Sequence, residues 1–347
     1  MHKLFKKSQL RKSPPLLGPS SSSLTLAELS LQRGDFDHGR AVLERRIGQG
    51  ANDFKTLNLY GVSLAHSRHF DNACTIFQQL RDTRLSKAHR IKAVFNMGLA
   101  QFYQELTLFG DQTIASYTQP VPSLPLVSLI RDKQEPFTGS IATWKSLLTN
   151  RTRYPEIIHT YLSFAYLQQG KIANAFHHLI EALAQHEVFY VTHYVLGRIF
   201  LDLFLLSTEG NDYSLSKDLV KFFEIEEYEI AAAVNGLSTI HPDTLLDISL
   251  QAFLEGRNLS PLAVEMYLSL CRTYLLGGFY DEAHETLTQL ESMVPDSPMA
   301  LEIALTFHER VQSPPAVIQS LVNRIKKRRG KKSDRELYLI LPPYYLF

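Results

Sequence analysis

The feature that most constrains this chain is that it resembles itself. The stretch TYLSFAYLQQGKIANA, from Thr160, superposes without a gap on LSLCRTYLLGGFYDEA, from Leu268, so that Tyr166 falls on Tyr274, Gly170 on Gly278 and Ala175 on Ala283. Around Gly61 the chain follows the same plan. Leu57, Tyr60, Gly61 and Leu64 recur at three and four residues, the spacing of one helix face, and after a short polar turn Ala73, Phe77 and Leu80 do so again. Each of Ala73, Ala175 and Ala283 is followed four residues later by a large apolar side chain, Phe77, Leu179 or Leu287. Helix–turn–helix is therefore the recurring unit, and the chain is expected to be all-α.

A spacing of 34 residues links the clear units to fainter ones: Gly39 stands 34 before Ala73, Pro261 stands 34 before Pro295, and Val317 stands 34 after Ala283. Laid end to end, units begin near Ser20, Phe54, Ile91, Glu156, Tyr190, Ile230, Val264 and Pro298. The unit at Ile91 is interrupted. Its second helix is displaced to the neighbourhood of Ser140 and Trp144, which implies an insertion near 108–139 that includes the Pro-rich SYTQPVPSLP. Small residues such as Gly61 and Ala73 allow paired helices to cross closely, and large apolar residues fill the groove beside them. Each pair leaves an apolar face that the next pair covers, so such units are stable only as a stack.

In Gly61, Ala73 and Phe77, and again in Tyr274, Gly278, Tyr280, Ala283 and Pro295, the chain resembles the tetratricopeptide repeat, a 34-residue pair of antiparallel helices. The resemblance implies a right-handed α-solenoid over residues 24–325, with a groove lined by the first helices in which segments of partner proteins lie. Outward positions of those helices supply Lys55, Asn58, Lys92, Asn96, Thr160, Tyr161, Phe164, Tyr194, Arg198 and Arg272 as candidate contacts. Aromatic residues and Arg are enriched at binding hot spots. Tyr161, Phe164, Tyr194 and Arg198 belong to neighbouring units and are expected to form one patch. A family variant that clamps the terminal carboxylate of chaperone tails is matched only in part, by Lys92 and Asn96, because Val62 stands where an Asn is needed and Phe95 and Leu99 offer no donors.

Charge is distributed in blocks. The total of +1 over 347 residues conceals a net of −9 between residues 28 and 325, flanked by two basic ends. Residues 1–23 form an arm with Lys3, Lys6, Lys7, Arg11 and Lys12, followed by Pro and Ser. It lacks the apolar stretch of a secretory signal, and organelle import or a secretion address through it stays open. Residues 326–347 carry Lys326, Lys327, Arg328, Arg329, Lys331 and Lys332, then the apolar LYLILPPYYLF. That cluster either opposes a helix dipole or contacts an anionic surface or RNA. The tail either folds back over the last helix or inserts into another protein. Residues 209–229 are acidic, a solvated face or a docking surface for a basic partner.

No catalytic signature is present: GxGxxG, GxxxxGK[ST], HExxH and CxxC are all missing. Gly61-Val62-Ser63 resembles a nucleophile elbow but lies in a helix and lacks the final Gly. The interrupting loop holds Asp111, Arg131, Asp132, Lys133 and Glu135 but neither His nor Cys. His177 and His178 are adjacent and diverge on a helix, while His186 and His193 straddle a turn, so no metal or cofactor is expected. Cys74 and Cys271 fall within apolar patterns, as free buried thiols of a reducing, cytoplasmic setting. The most apolar stretch, Phe189 to Leu206, contains His193, Arg198 and Asp202, which argues against a membrane span. The expected protein is a non-enzymatic scaffold, adaptor or assembly chaperone. A nucleic-acid or anionic-surface role through the basic ends is the alternative.

Overall fold

The computed structural model describes residues 23–32, 36–117, 136–149, 155–184, 189–208, 240–295 and 297–329. Among them are fourteen helices and no strand. They fall into seven antiparallel pairs: α1 Ser23–Gln32 with α2 Phe36–Gly48, α3 Phe54–His66 with α4 Phe70–Asp82, α5 Lys87–Tyr117 with α6 Thr138–Leu148, α7 Pro155–Gln168 with α8 Ile172–Leu183, α9 Tyr190–Thr208 with α10 Pro242–Leu259, α11 Val264–Gly277 with α12 Tyr280–Met293, and α13 Pro298–Arg310 with α14 Pro315–Arg329. The molecule is an all-α helical solenoid.

One kind of close contact recurs between paired helices. Ser163 Oγ in α7 donates to Ala175 O in α8 at 2.5 Å, and Cys271 Sγ in α11 lies 3.9 Å from Ala283 O in α12; both partners are 12 residues apart. The same spacing brings together Gly61 and Ala73. A Cβ added to Gly61 would lie 2.7 Å from Phe77 Cε1, so the large side chain four residues beyond Ala73 packs against the glycine backbone. In the interrupted pair, Trp144 packs on Gly98 in this way, and its Nε1 donates to Phe95 O at 3.3 Å. The displaced second helix read from Ser140 and Trp144 is thus α6. The ends of its insertion are fixed: the Phe137 amide donates to the Glu105 carboxylate, and Gln169 Nε2 donates to Pro136 O. Residues 118–135 lie outside the described residues.

The unit expected to start at Ile230 needs correction. Ser249 Oγ of α10 donates to Gly197 O of α9 at 2.9 Å across 52 residues, and Phe253 Cε1 would stand 2.6 Å from a Cβ at Gly197. Here α10 is the second helix of the pair that α9 opens, across a second interruption, and the described residues form seven pairs. Residues 209–239, including the acidic stretch, lie outside the described residues.

Turns and caps repeat as well. The backbone is left-handed at Arg68 (φ 62°), Gly170 (φ 71°), Gly278 (φ 76°) and Gln312 (φ 54°), each at the same place between first and second helix. Asp53 caps α3 by accepting the Thr56 N–H at 3.0 Å, and Ser297 caps α13 ahead of Pro298. A continuous apolar core runs from α3 to α11 and a second from α11 to α14. Both thiols are raised by burial, Cys74 to about 11 and Cys271 to about 12, which keeps them protonated and unreactive at neutral pH.

Candidate partner-binding groove

First helices touch first helices: α1 on α3, α3 on α5, α7 on α9, α9 on α11 and α11 on α13. Second helices instead reach across to the next first helix, and none packs extensively on the second helix of the following pair among the described residues. A double row that is closed along one side and splayed along the other bends toward the closed side. The first helices therefore line the inner face.

That closeness corrects most of the residues expected to face a partner. Asn58, Asn96, Thr160, Tyr161, Phe164 and Tyr194 are at most 2% exposed. Asn96 Nδ2 donates to Asn58 Oδ1 at 3.0 Å, joining α5 to α3, and the Thr160 and Thr192 hydroxyls share a hydrogen bond at 2.9 Å, joining α7 to α9. Tyr161 packs edge-on to Phe95 at 5.8 Å, and Phe164 stands 5.1 Å from Phe102 and 5.8 Å from Tyr194. Where first helices touch, their facing side chains meet each other instead of a ligand. Exposed Lys55 bridges to Glu28 at 2.7 Å, again between first helices.

Lys92, Arg198 and Arg272 stay half-buried. The two arginines occupy one repeat position, directly after the crossing residues Gly197 and Cys271. The equivalent residues earlier in the stack are Val62, Leu99 and Phe164, all 0% exposed. At this position fully buried apolar side chains give way to half-buried charged ones, in two successive pairs. Asp202 of α9 is 4% exposed. Burial pushes its carboxyl above the ordinary range, and the charges of Arg198 and Arg272 pull it part of the way back. Arg198 Nη1 also donates to the Tyr194 hydroxyl at 3.3 Å. Tyr194, Arg198 and Asp202 recur every fourth residue and form one stripe of α9.

Asp202 was visible in the sequence as a charge inside an apolar run. Glu265, at the start of α11, was not singled out. It is 8% exposed and burial pushes it up to about 8. Helix α9 is long and apolar enough to cross a membrane by length and composition, yet most of it is buried among its neighbours. Among the described residues no group of three His, Cys, Asp or Glu side chains is placed to hold a metal ion. The histidines that do meet are His159 and His178, with Nδ1 atoms 3.0 Å apart and the His178 ring stacked on Tyr166. His186 lies outside the described residues.

At the basic end, Lys326 and Lys327 are exposed on the last turn of α14, which Arg328 and Arg329 complete. Lys331, Lys332, the apolar tail and the N-terminal arm up to residue 22 lie outside the described residues.

No protein-family model matches the sequence, and no curated protein matches it. Solved structures do match in fold. A monomeric mutant of IFIT1 with m7Gppp-AAAA overlays with a TM-score of 0.55 at 14% identity, covering 89% of this chain and 59% of that one. The human IFIT1 dimer with m7Gppp-AAAA gives 0.48 at 13% identity, covering 87% and 67%. The Naa15/Naa10 complex bound to HypK-THB gives 0.30 at 14% identity, covering 86% and 40%. This chain therefore spans about three fifths of the IFIT1 mutant chain, and the likeness at 0.55 establishes a shared helical-repeat fold.

Proposed function

We propose that the protein is a non-enzymatic scaffold, adaptor or assembly chaperone that holds a segment of a partner protein along its inner face. The observation that carries this reading is the pair of arginines at one repeat position, Arg198 and Arg272, whose charges both act on the buried Asp202. A guanidinium offers a planar fork of donors that matches a carboxylate. The partner segment presents an acidic side chain to the arginines and apolar side chains to the partly exposed Leu205 and Leu276 beside them. The net −9 of residues 28–325 disfavours a polyanion in the groove and tolerates a single carboxylate.

The setting is cytoplasmic in this reading, with α9 a core helix of the stack. The alternative uses the basic end. IFIT1, the fold neighbour, is solved with a capped RNA, and Lys326 and Lys327 are exposed here.

Selection of binders from a random peptide library separates the two readings. The groove reading predicts peptides that share an acidic residue next to apolar ones and that lose binding to the R198Q/R272Q double variant. Failure to select any peptide, together with salt-sensitive RNA binding that disappears when Lys326 and Lys327 are changed to Gln, would favour the alternative.

A further inference from the structure

Helices α6, α7 and α8 bring together a polar cluster that the proposed groove does not use. His159 and Tyr166 lie seven residues apart on α7, two turns along one face, and His178 of α8 meets both. The His178 ring stacks on Tyr166 with centroids 5.5 Å apart and planes within 7°. Its Nδ1 faces Nδ1 of His159 at 3.0 Å. Lys145 of α6 places Nζ 5.2 Å from the centre of the same Tyr166 ring. Both histidines are half-buried, so solvent reaches the pair.

Two imidazoles that meet nitrogen to nitrogen hold one proton between them, donated by one ring and accepted by the other. Nearly the same separation suits a metal ion. With metal–nitrogen bonds of about 2.0–2.1 Å, two ligands at a right angle stand about 2.9 Å apart, and two at the tetrahedral angle about 3.3 Å. The 3.0 Å between His159 and His178 lies between these values. The rings come from two packed helices and one of them is held by its stack on Tyr166, so little freedom is left to lose on chelation. Burial holds His178 at about 4 and His159 below its ordinary value, which leaves both in the neutral form that ligates. We propose that His159 and His178 chelate one divalent transition-metal ion through their Nδ1 atoms, with each ring carrying its proton on Nε2 and water completing the shell. Imidazole ligands select Cu²⁺, Ni²⁺ or Zn²⁺ over Mg²⁺ and Ca²⁺. The charge of Glu181 favours a cation at His159, while the charges of Lys145 and of a protonated His177 oppose one at His178.

Pulsed electron paramagnetic resonance of Cu²⁺ added to the full chain tests this, because it counts the imidazoles on each bound ion. The native protein is expected to hold one ion with two imidazoles, and H159Q and H178Q none. In competition titrations each of these variants is expected to bind Cu²⁺ at this site at least about tenfold more weakly. K145Q changes an exposed side chain and removes a positive charge that acts on His178, so it is expected to bind about two- to fivefold more tightly. Absence of an ion with two imidazoles in the native chain would overturn the proposal, and the paired rings would then share a proton only. So would a two-imidazole signal that survives in H159Q or H178Q, or an affinity unchanged in K145Q. The native and K145Q measurements decide the matter even where a histidine variant fails to fold.

Discussion

Ser249 Oγ donates to Gly197 O at 2.9 Å across 52 residues of chain. The bond is the equivalent of the one from Ser163 to Ala175, which spans 12. Two helices separated by a long insertion are therefore joined by the same local chemistry that joins helices separated by a tight turn. The unit of this fold is the crossing, not the sequence interval.

The crossings have little spare volume. Gly197→Ala would place a methyl 2.6 Å from the Phe253 ring, and Ala73→Leu would force a side chain into the α3–α4 contact. Each is expected to lower stability by about 1–3 kcal/mol. Thermal or urea unfolding measures this, and an unchanged midpoint for Gly197→Ala would contradict the pairing of α9 with α10.

Left-handed backbone at Arg68 and Gln312 is a strain that the equivalent Gly170 and Gly278 avoid. Since a side chain in this conformation costs roughly 1–2 kcal/mol and glycine returns part of that as entropy of the unfolded chain, Arg68→Gly and Gln312→Gly are expected to stabilise by about 0.5–1 kcal/mol. Unfolding midpoints that fall instead would show that the two side chains hold the turn in another way.

Stability responds to pH in two opposing ways. Burial holds His66 and His193 at about 4, below the ordinary 6.5, so the unfolded chain takes up protons between these values that the folded chain refuses. Their contribution is present above pH 6.5 and lost as pH falls toward 4. Glu265, raised from 4.5 to about 8, acts in reverse: its contribution is present below pH 4.5 and lost as pH rises through 8. Melting temperatures from pH 4 to 9 are expected to show that Glu265→Gln reduces the decline between pH 4.5 and 8, and that His193→Gln reduces the loss between pH 6.5 and 4.

Asp202→Asn is expected to keep the fold and weaken groove binding, because it removes the buried acidic group on which the charges of both arginines act while leaving the arginines in place. Loss of folding by circular dichroism would make Asp202 a structural residue only.

Much of the fold could be read from the chain because the crossing imposes a signature. A small residue, a second small residue twelve later and a ring four beyond that cannot be produced by unpaired helices, and Gly61, Ala73 and Phe77 carry it openly. The second interruption was hidden by its length. Lying between Gly197 and Ser249, it exceeds one repeat only slightly, so the 34-residue phase passed through Ile230 almost unbroken. The site was harder to read. Tyr161 and Phe164 share the helix face of Arg198, and only the approach of neighbouring first helices decides that the rings are covered while the guanidinium remains half-open. His193, Arg198 and Asp202 in an apolar run did mark the place. Taken as a sign against a membrane span, they were also a sign of buried charge held for a purpose.

In the proposed function Arg198 and Arg272 receive an acidic group of a partner segment. Fluorescence anisotropy tests it by titrating one labelled acidic peptide, taken from the library selection, against the native chain and the R198Q/R272Q variant. A charge-assisted hydrogen bond contributes about 1.5–3 kcal/mol, so the variant is expected to bind at least about tenfold more weakly. Equal affinity in the two proteins would contradict it.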